Sequence, residues 1–516
     1  MLDAFSVLVA LASIFVASRV FSYVKAKRDL GHLPGLRSLV APMSPFGAAL
    51  PTCWLNPGLE WQWRWRNQVY SRAGTETISA LPYLFGTPAI YTSSPEVARQ
   101  VVSTKGQFFK EHDTVLITLL WGPSVFAANG EDWKRHRRII APAFSPETYA
   151  SVWAETSRVF GEMEAAEGWI TKPVVDIPVV NDYTYKLALS LISSCGFGYP
   201  LSWEMPKSAP GEMSFAEALA IVSNNHLMRL ILPRWSYHLP IQWIRDIETA
   251  ANKMTEFMRD MISLRRQELA SCNGSELRRD ILTLMIKSSN SEEESKFKMD
   301  ESELIGNTFL LLFAGHDTTA KTIDASLAFL ALHEDYQEEM YREIMEVMPT
   351  EADFTFENSA KLTKVRACFL EASRLFPAGF MMIRDAAEDL VLRNVGPDND
   401  GLLPIKRGTR VVVDMPGIHY NPRVFPDPEA FKPERWYDAH ENDISMFSFG
   451  SRACIGRRFA LTEGMCFLAK LLRSWRVEML AKEGETKEEW RRRVVQGKVT
   501  MNLGVGPVPI RLSRRS

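Results

Sequence analysis

The sequence predicts a mainly helical chain with a minor β component, built as one large domain behind an N-terminal transmembrane helix. Three observations carry this reading. An apolar N-terminal segment ends in cations, long stretches place apolar residues at i, i+3 and i+4, and strand-like runs are few and short.

The N-terminal segment MLDAFSVLVALASIFVASRVFSYVKAKR is apolar from Ala4 to Ser18, meets Arg19, and continues apolar to Val24. Roughly 20 apolar residues span a bilayer, so the segment suffices if Arg19 snorkels to the interface. Cleaved signal peptides carry positive charge before their apolar core, whereas Asp3 precedes this one. Lys25, Lys27 and Arg28 follow it, and cations on that side keep the body of the protein in the cytosol. Residues 1–24 are therefore expected to be a transmembrane anchor; the alternative is a buried amphipathic helix. Residues 25–51, with GHLPGLRSLVAPMSPFGAALP, are rich in Pro and Gly and read as an irregular linker. Residues 52–516 show no repeat and no second linker, which predicts a single domain.

Within that domain, residues 159–170, 248–270 and 301–348 carry helical periodicity. Strand-like runs fall at Pro88–Thr92 and Thr409–Val413, with a terminal hairpin from Val499 to Leu512 turning near Gly506-Pro507. The polar stretch 287–300 reads as a loop between helices. Sixty basic against 62 acidic side chains give a net charge of -2, which makes no case for nucleic-acid binding. Six cysteines without any CxxC argue against a secreted disulfide framework and for a reducing compartment. One glycosylation sequon, at Asn273, is short enough to arise by chance.

Five motifs carry the chemistry. Asp300 and Glu303 have capping-box spacing and open a long apolar helix, in whose middle sits Ala314-Gly-His-Asp-Thr-Thr319. Gly costs about 1 kcal/mol against Ala there. Two readings stand: a tolerated Gly beside a satisfied Thr in a core helix, or a local opening that presents Asp317 and Thr318 to a cavity as a proton-delivery pair. His316 has no second histidine nearby and is not read as a metal ligand. Glu371-Ala-Ser-Arg374 is an i, i+3 ion pair, and the spacing recurs elsewhere in the chain. Its sequel sets it apart: LFPAGFMMIRDA, then FPDPEAFKPERW, where Arg435 would complete a charge network. Trp133-Lys-Arg-His-Arg137 is basic and helical; Trp133 and Arg137 share one face and suit an anion, while the plain alternative is a solvated surface. Last is Phe447-Ser-Phe-Gly450-Ser-Arg452-Ala-Cys454-Ile-Gly456. Zinc at Cys454 would need three further N or S ligands, and a nucleophile would need a nearby base; neither is visible.

The Cys454 segment resembles the haem-binding loop F-x-x-G-x-R-x-C-x-G of cytochrome P450 monooxygenases, and AGHDT, EASR, FKPERW and WKRHR stand in the family's order. The resemblance covers essentially the whole chain, apart from a reduced proline hinge (HLPGL) and Ala378 where relatives often carry a second proline. It implies the P450 fold, haem b with Cys454 as axial thiolate, and a loop shaped by Phe447, Gly450 and Gly456. It implies that Arg452, Arg384, Trp133 and Arg137 meet the haem propionates and that Asp317 and Thr318 deliver protons. Glu371, Arg374 and Arg435 become a structural network. Phe309, Phe313, Ala314, Phe380, Met381 and Met382, with 115–126 and the tip near Val505, are pocket candidates by position, or core packing. Their apolar character favours a lipophilic substrate such as a terpenoid, steroid or polyketide.

The expected activity is insertion of one atom of O2 into that substrate in secondary metabolism. Electrons would come from NADPH–cytochrome P450 reductase, with cytochrome b5 a further candidate donor, since no flavin module is present in this chain. The expected address is the endoplasmic reticulum membrane, single-pass, with the catalytic domain in the cytosol. The basic residues Lys134, Arg135, Arg138, Arg457 and Arg458 would dock an acidic reductase, or form an ordinary solvated surface. Two other classes compete: a haem-thiolate isomerase or dehydratase acting on peroxides, and a haem protein that binds a ligand without turnover. The intact Asp317-Thr318 pair argues against both.

Overall fold

The computed structural model describes residues 4–103, 106–116, 118–204, 212–271, 280–290, 298–394, 401–440 and 443–515. The sequon at Asn273 and residues 291–297 of the polar stretch lie outside them. The chain sorts into two compact units interleaved in sequence: residues 1–114, 379–430 and 448–452, and residues 115–378, 431–447 and 453–516.

The first unit opens with helix α1, Ala4–Asp29, whose 26 residues rise about 39 Å, enough to cross a bilayer. Its apolar side chains are exposed, so the buried amphipathic alternative does not hold. The helix runs past residue 24, and one face rests on the end of a strand: Tyr23 stacks on Tyr83 at 5.2 Å and Phe15 tilts against Phe85 at 6.2 Å. Arg19, expected to reach for the interface, donates from Nη1 to the Leu84 carbonyl at 2.8 Å.

A six-stranded sheet forms the body of this unit: β1 (Gly35–Val40), β2 (Thr77–Phe85), β3 (Ala89–Thr92), β4 (Phe108–Phe109), β5 (Met381–Ala386) and β6 (Arg410–Asp414), in the order β1-β2-β3-β6-β5-β4. β3 and β6 are the strand-like runs read from sequence, and they pair in parallel. β1 lies inside the stretch expected to be irregular. It is held by parallel pairing with β2, a long-range contact that no local pattern announces. Val411, Val412 and Val413 are fully buried, which explains a continuous β-branched run rather than an alternating one.

The second unit is helical. Its framework is α2 (Gly130–Ile140), α3 (Pro146–Ala166), α4 (Asn181–Leu191), α5 (Phe215–Ile231), α6 (Gln242–Ser271), α7 (Glu301–Leu332), α8 (Thr363–Leu375) and α9 (Arg457–Ser474). α7 is the central rod, about 48 Å long over its 32 residues, with most of its side chains buried. Its start is the predicted capping box: the Asp300 carboxylate accepts from the Glu303 amide, and Glu303 accepts from the Asp300 amide. The C-terminal strands differ from the expected hairpin. Gly497–Val499 pairs with Leu503–Val505 around a turn at 500–502, whereas Ile510–Arg514 leaves to pair with Trp475–Met479 and Val174–Ile177. Gly506-Pro507 is the crossover between those two sheets.

Candidate active site

Cys454 lies just ahead of α9 in the second unit. The loop before it is closed by the Cys454 amide donating to the Phe447 carbonyl at 2.8 Å. Burial pushes the thiol up, while the Gly456 N–H and the Arg137 and Arg457 guanidiniums pull it back toward the thiolate. The residue is nonetheless accessible, so a dense protein frame holds a sulfur that can be reached. Arg137 comes from α2 and also donates from Nη1 to the Ala453 carbonyl at 3.2 Å, tying helix and loop together. Trp133, one turn earlier on α2, packs half-buried against the core of this unit.

The two glycines of the loop do different work. Gly450 has φ +63°, a left-handed turn that side chains with a Cβ rarely adopt. Gly456 has φ −85°, and an added Cβ would stand 4.0 Å from the Cys454 sulfur, ordinary contact, so its contribution is the amide aimed at sulfur.

On α7 the motif Ala314–Thr319 is uninterrupted helix, not the local opening offered as a functional reading. The Thr318 hydroxyl donates to the Ala314 carbonyl at 2.8 Å, the satisfied-threonine arrangement. Gly315 is there for closeness: an added Cβ would sit 2.7 Å from Ile192, just beyond α4. Asp317 does not stand alone beside Thr318. Its Oδ2 accepts from Asn502 Nδ2 at 2.7 Å and pairs with Lys321 Nζ at 2.9 Å. His316 is fully buried, bonds through Nδ1 to the Leu312 carbonyl at 2.7 Å, and is pushed toward the neutral form by burial. Phe309 is sealed in the core, stacked on Trp121 at 3.9 Å and on Phe313 at 6.0 Å, whereas Ala314 keeps partial exposure.

The Glu371 network forms as expected and is larger. Arg374 grips Glu371 through Nε and Nη2, both at 2.8 Å, and Arg435 Nε stands 3.4 Å away. Two further donors, the Lys432 amide at 2.9 Å and the Trp436 indole at 2.8 Å, satisfy the same carboxylate. Glu371 and Arg374 are wholly buried, so each donor offsets desolvation.

The first unit carries a cluster of cations. Arg384 and Arg452 lie close enough to Lys110 to act on it: burial pushes the Lys110 ammonium well down, and both guanidiniums push it further. Burial lowers Arg384, on β5, to about 10. Its strand neighbour Asp385 faces the other way and pairs with Arg410. Three converging cations are relieved by an anion, and carboxylates match the guanidinium fork. Lys110 is the residue that sequence reasoning missed. Its one local signal is a lysine directly after the short aromatic strand Phe108–Phe109. Met381 and Met382 are half-buried on β5, and Met382 Sδ accepts from Ser448 Oγ at 3.0 Å; Phe380 before them is buried.

The family model for cytochrome P450 matches residues 79–504. The chain belongs to the cytochrome P450 family. It is 31% identical over 517 residues to cytochrome P450 monooxygenase 124 of Postia placenta, covering 98% of each chain. It is 25% identical over 447 residues to the phomenoic acid biosynthesis cluster cytochrome P450 monooxygenase of Leptosphaeria maculans, covering 77% of this chain and 75% of that one. Among solved structures, the haem domain of cytochrome P450DA superposes with a TM-score of 0.72 at 21% identity, over 94% of this chain and 99% of that one. The protein is thus a P450 monooxygenase, a haem-iron oxidoreductase with the P450 fold and an N-terminal apolar helix suited to anchoring it in a membrane.

The family implies haem held by a thiolate, and the donor set here fits it. The site offers one accessible sulfur supported by an amide and two guanidiniums. Among the described residues no three His, Cys, Asp or Glu side chains come together, so a metal carried by its own macrocycle suits Cys454 and a bare zinc ion does not.

Proposed function

We propose that this P450 is a reductase-fed enzyme of the endoplasmic reticulum membrane that inserts one atom of O2 into a lipophilic secondary metabolite of terpenoid, steroid or polyketide type. The observation that carries the reading is the reachable Cys454 sulfur, with the Gly456 amide and the Arg137 and Arg457 charges supporting its thiolate. Haem b, when bound, supplies the oxygen-activating chemistry. Cys454 would ligate its iron; Arg452, Arg384, Trp133 and Arg137, joined by Lys110, would hold its propionates; and Phe447, Gly450 and Gly456 would shape the loop. Glu371, Arg374 and Arg435, with Trp436, keep the frame behind it rigid. Asp317 and Thr318 would relay the protons that oxygen reduction consumes, through a carboxylate and a hydroxyl on adjacent residues of α7.

Phe313 and Ala314, backed by Phe309, and, in the other unit, Met381 and Met382 are the apolar residues that would meet substrate. A basic face of Lys134, Arg138, Arg457 and Arg458 docks an acidic NADPH–cytochrome P450 reductase, and cytochrome b5 is a further candidate at the same face. Arg135 leaves that set, because Glu303 takes both ends of its guanidinium. The lipophilic character follows from the apolar residues, and the secondary-metabolite class from what the Leptosphaeria relative is named for. α1 and the cations in its last turns support the membrane address.

The test is a reduced-minus-CO difference spectrum of the purified protein, followed by a spin-shift screen of lipophilic candidates. The red-shifted thiolate band is expected in the wild type and absent in Cys454→Ser; a folded wild type without that band overturns the assignment.

A further inference from the structure

Asp317 is bound to the C-terminal hairpin through a closed set of contacts. Its Oδ2 takes the Asn502 amide at 2.7 Å and the Lys321 ammonium at 2.9 Å. Lys321 stands one turn on from Asp317, acid before base, the favourable order for an i, i+4 pair. The same ammonium donates to Thr500 Oγ1 at 2.8 Å and to the Asn502 carbonyl at 3.2 Å. All three of its protons are therefore spent on Asp317 and the turn 500–502. The hairpin presses on the lysine stem as well: a Cβ on Gly504 would come within 2.7 Å of Lys321 Cγ and Cδ. The hairpin is itself pinned, by the Leu503 amide to the Ala378 carbonyl at 3.1 Å and the Gly506 amide to the Gln496 carbonyl at 3.0 Å. Asp317 and Lys321 are mostly buried, at 9% and 17% side-chain exposure, so water competes weakly for these contacts.

We propose that Lys321 and Asn502 are positioning residues for the reaction: they fix the Asp317 carboxylate against the hairpin turn, and the turn thereby sets where that acid stands for proton delivery. This rests on the proposed role of Asp317. A carboxylate on a helix has several rotamers, and two donors on one oxygen select one of them. The other oxygen, Oδ1, is left to exchange protons. A shift of the turn moves both donors together, so the hairpin and the acid behave as one part.

The test uses the full-length holoenzyme and four variants, Asp317→Asn, Lys321→Met, Lys321→Arg and Asn502→Ala. Two independent measurements are made: hydrogen–deuterium exchange of the segment 497–505, and the solvent isotope effect on turnover together with product formed per NADPH. Asp317→Asn, Lys321→Met and Asn502→Ala are expected to speed exchange of that segment. Lys321→Met and Asn502→Ala are expected to cut product per NADPH roughly threefold or more, with a raised isotope effect and unchanged substrate affinity. Lys321→Arg is expected to restore most of both. Faster exchange with unaltered isotope effect and product yield would make the clasp a mere brace and overturn the proposal. An Asp317→Asn variant with a normal isotope effect would overturn the proton role of Asp317 itself, and the positioning role with it.

Discussion

Arg135 clasps Glu303 end to end, Nη1 to Oε2 at 2.7 Å and Nη2 to Oε1 at 2.5 Å, joining α2 to the first turn of α7. His136 Nε2 stands 3.2 Å from the same carboxylate. Burial would push Glu303 up, but Arg135, the Asp300 amide and His136 overcome it and hold the carboxyl at about 2. Removing Arg135 leaves a largely buried carboxylate short of its partner, so Arg135→Ala is expected to cost about 2–4 kcal/mol in denaturant unfolding. Lys134→Ala, whose partner Glu131 is exposed, is expected to cost under about 1 kcal/mol. Because the folded pKa of Glu303 is depressed, its contribution is present above the ordinary carboxylate value and fades as pH falls from about 4.5 toward 2.

If the remaining cations dock a reductase, Arg458→Glu or Lys134→Glu slows reduction of the enzyme by its partner, and the loss shrinks as salt is raised. Rapid-mixing reduction kinetics at two ionic strengths measure this. Arg135→Gln, by contrast, alters stability more than docking.

Lys110 and Arg384 are expected to matter for haem retention rather than for the fold alone. A charge-assisted contact to a carboxylate is worth about 1.5–3 kcal/mol, so Lys110→Ala and Arg384→Ala are expected to weaken haem affinity roughly ten- to a hundredfold each. Haem per polypeptide, read from the Soret-to-protein absorbance ratio, checks it.

Glu371 accepts four hydrogen bonds, two of them from Arg374, and Glu371→Gln replaces half of its oxygen lone pairs with donors facing donors. Loss of soluble protein is expected, with unfolding cost on the order of 3–5 kcal/mol where it can be measured. Trp436→Phe removes one donor and leaves Arg374 on the same oxygen, so its expected cost is about 1–2 kcal/mol. Equal effects from the two variants would contradict this network.

Two buried carboxyls make the fold weaker in alkali. Burial raises Asp414 to about 7, against the opposing Gly417 amide and Tyr70 hydroxyl, which donate at 2.9 and 2.8 Å. Burial also drives Glu463 well up, and neither of its oxygens has a hydrogen-bond partner among the described residues. A raised folded pKa means the native state holds the proton longer than the unfolded chain. That stabilisation is full below the ordinary carboxylate value and is lost as pH climbs through about 7 for Asp414. Asp414→Asn and Glu463→Gln are each expected to flatten the fall of Tm between pH 6 and 9, measured by calorimetry across that range.

What the sequence made legible follows from how local each signal is. The capping box at Asp300 and Glu303 and the i, i+3 pair Glu371–Arg374 appear as read, because both partners sit within one helical turn. Arg435 was reachable because a buried pair asks for a third charge. Trp436 was not, since an indole donor has no spacing rule and depends on where a short loop lands. Lys110 and Arg384 join through β4–β5 pairing, which no sequence pattern states. The same limit explains β1 and the exchanged partner of Ile510–Arg514: pairing in sheets is settled by distant strands, and local alternation only makes a strand eligible. Arg135 misled because a basic run reads as surface until one member finds a carboxylate.

The sheet of the first unit has an implication for biogenesis. β3 waits beside an unfilled edge until β6 arrives, and the whole of Val115–Ala378 is synthesised in between. During that interval Ala89-Ile-Tyr-Thr92, apolar and without its later neighbour, is the kind of open strand that seeds aggregation. A nascent chain whose first helix already sits in a bilayer is kept apart from its copies through that wait. Tethering would then serve the yield of folded enzyme as well as its address.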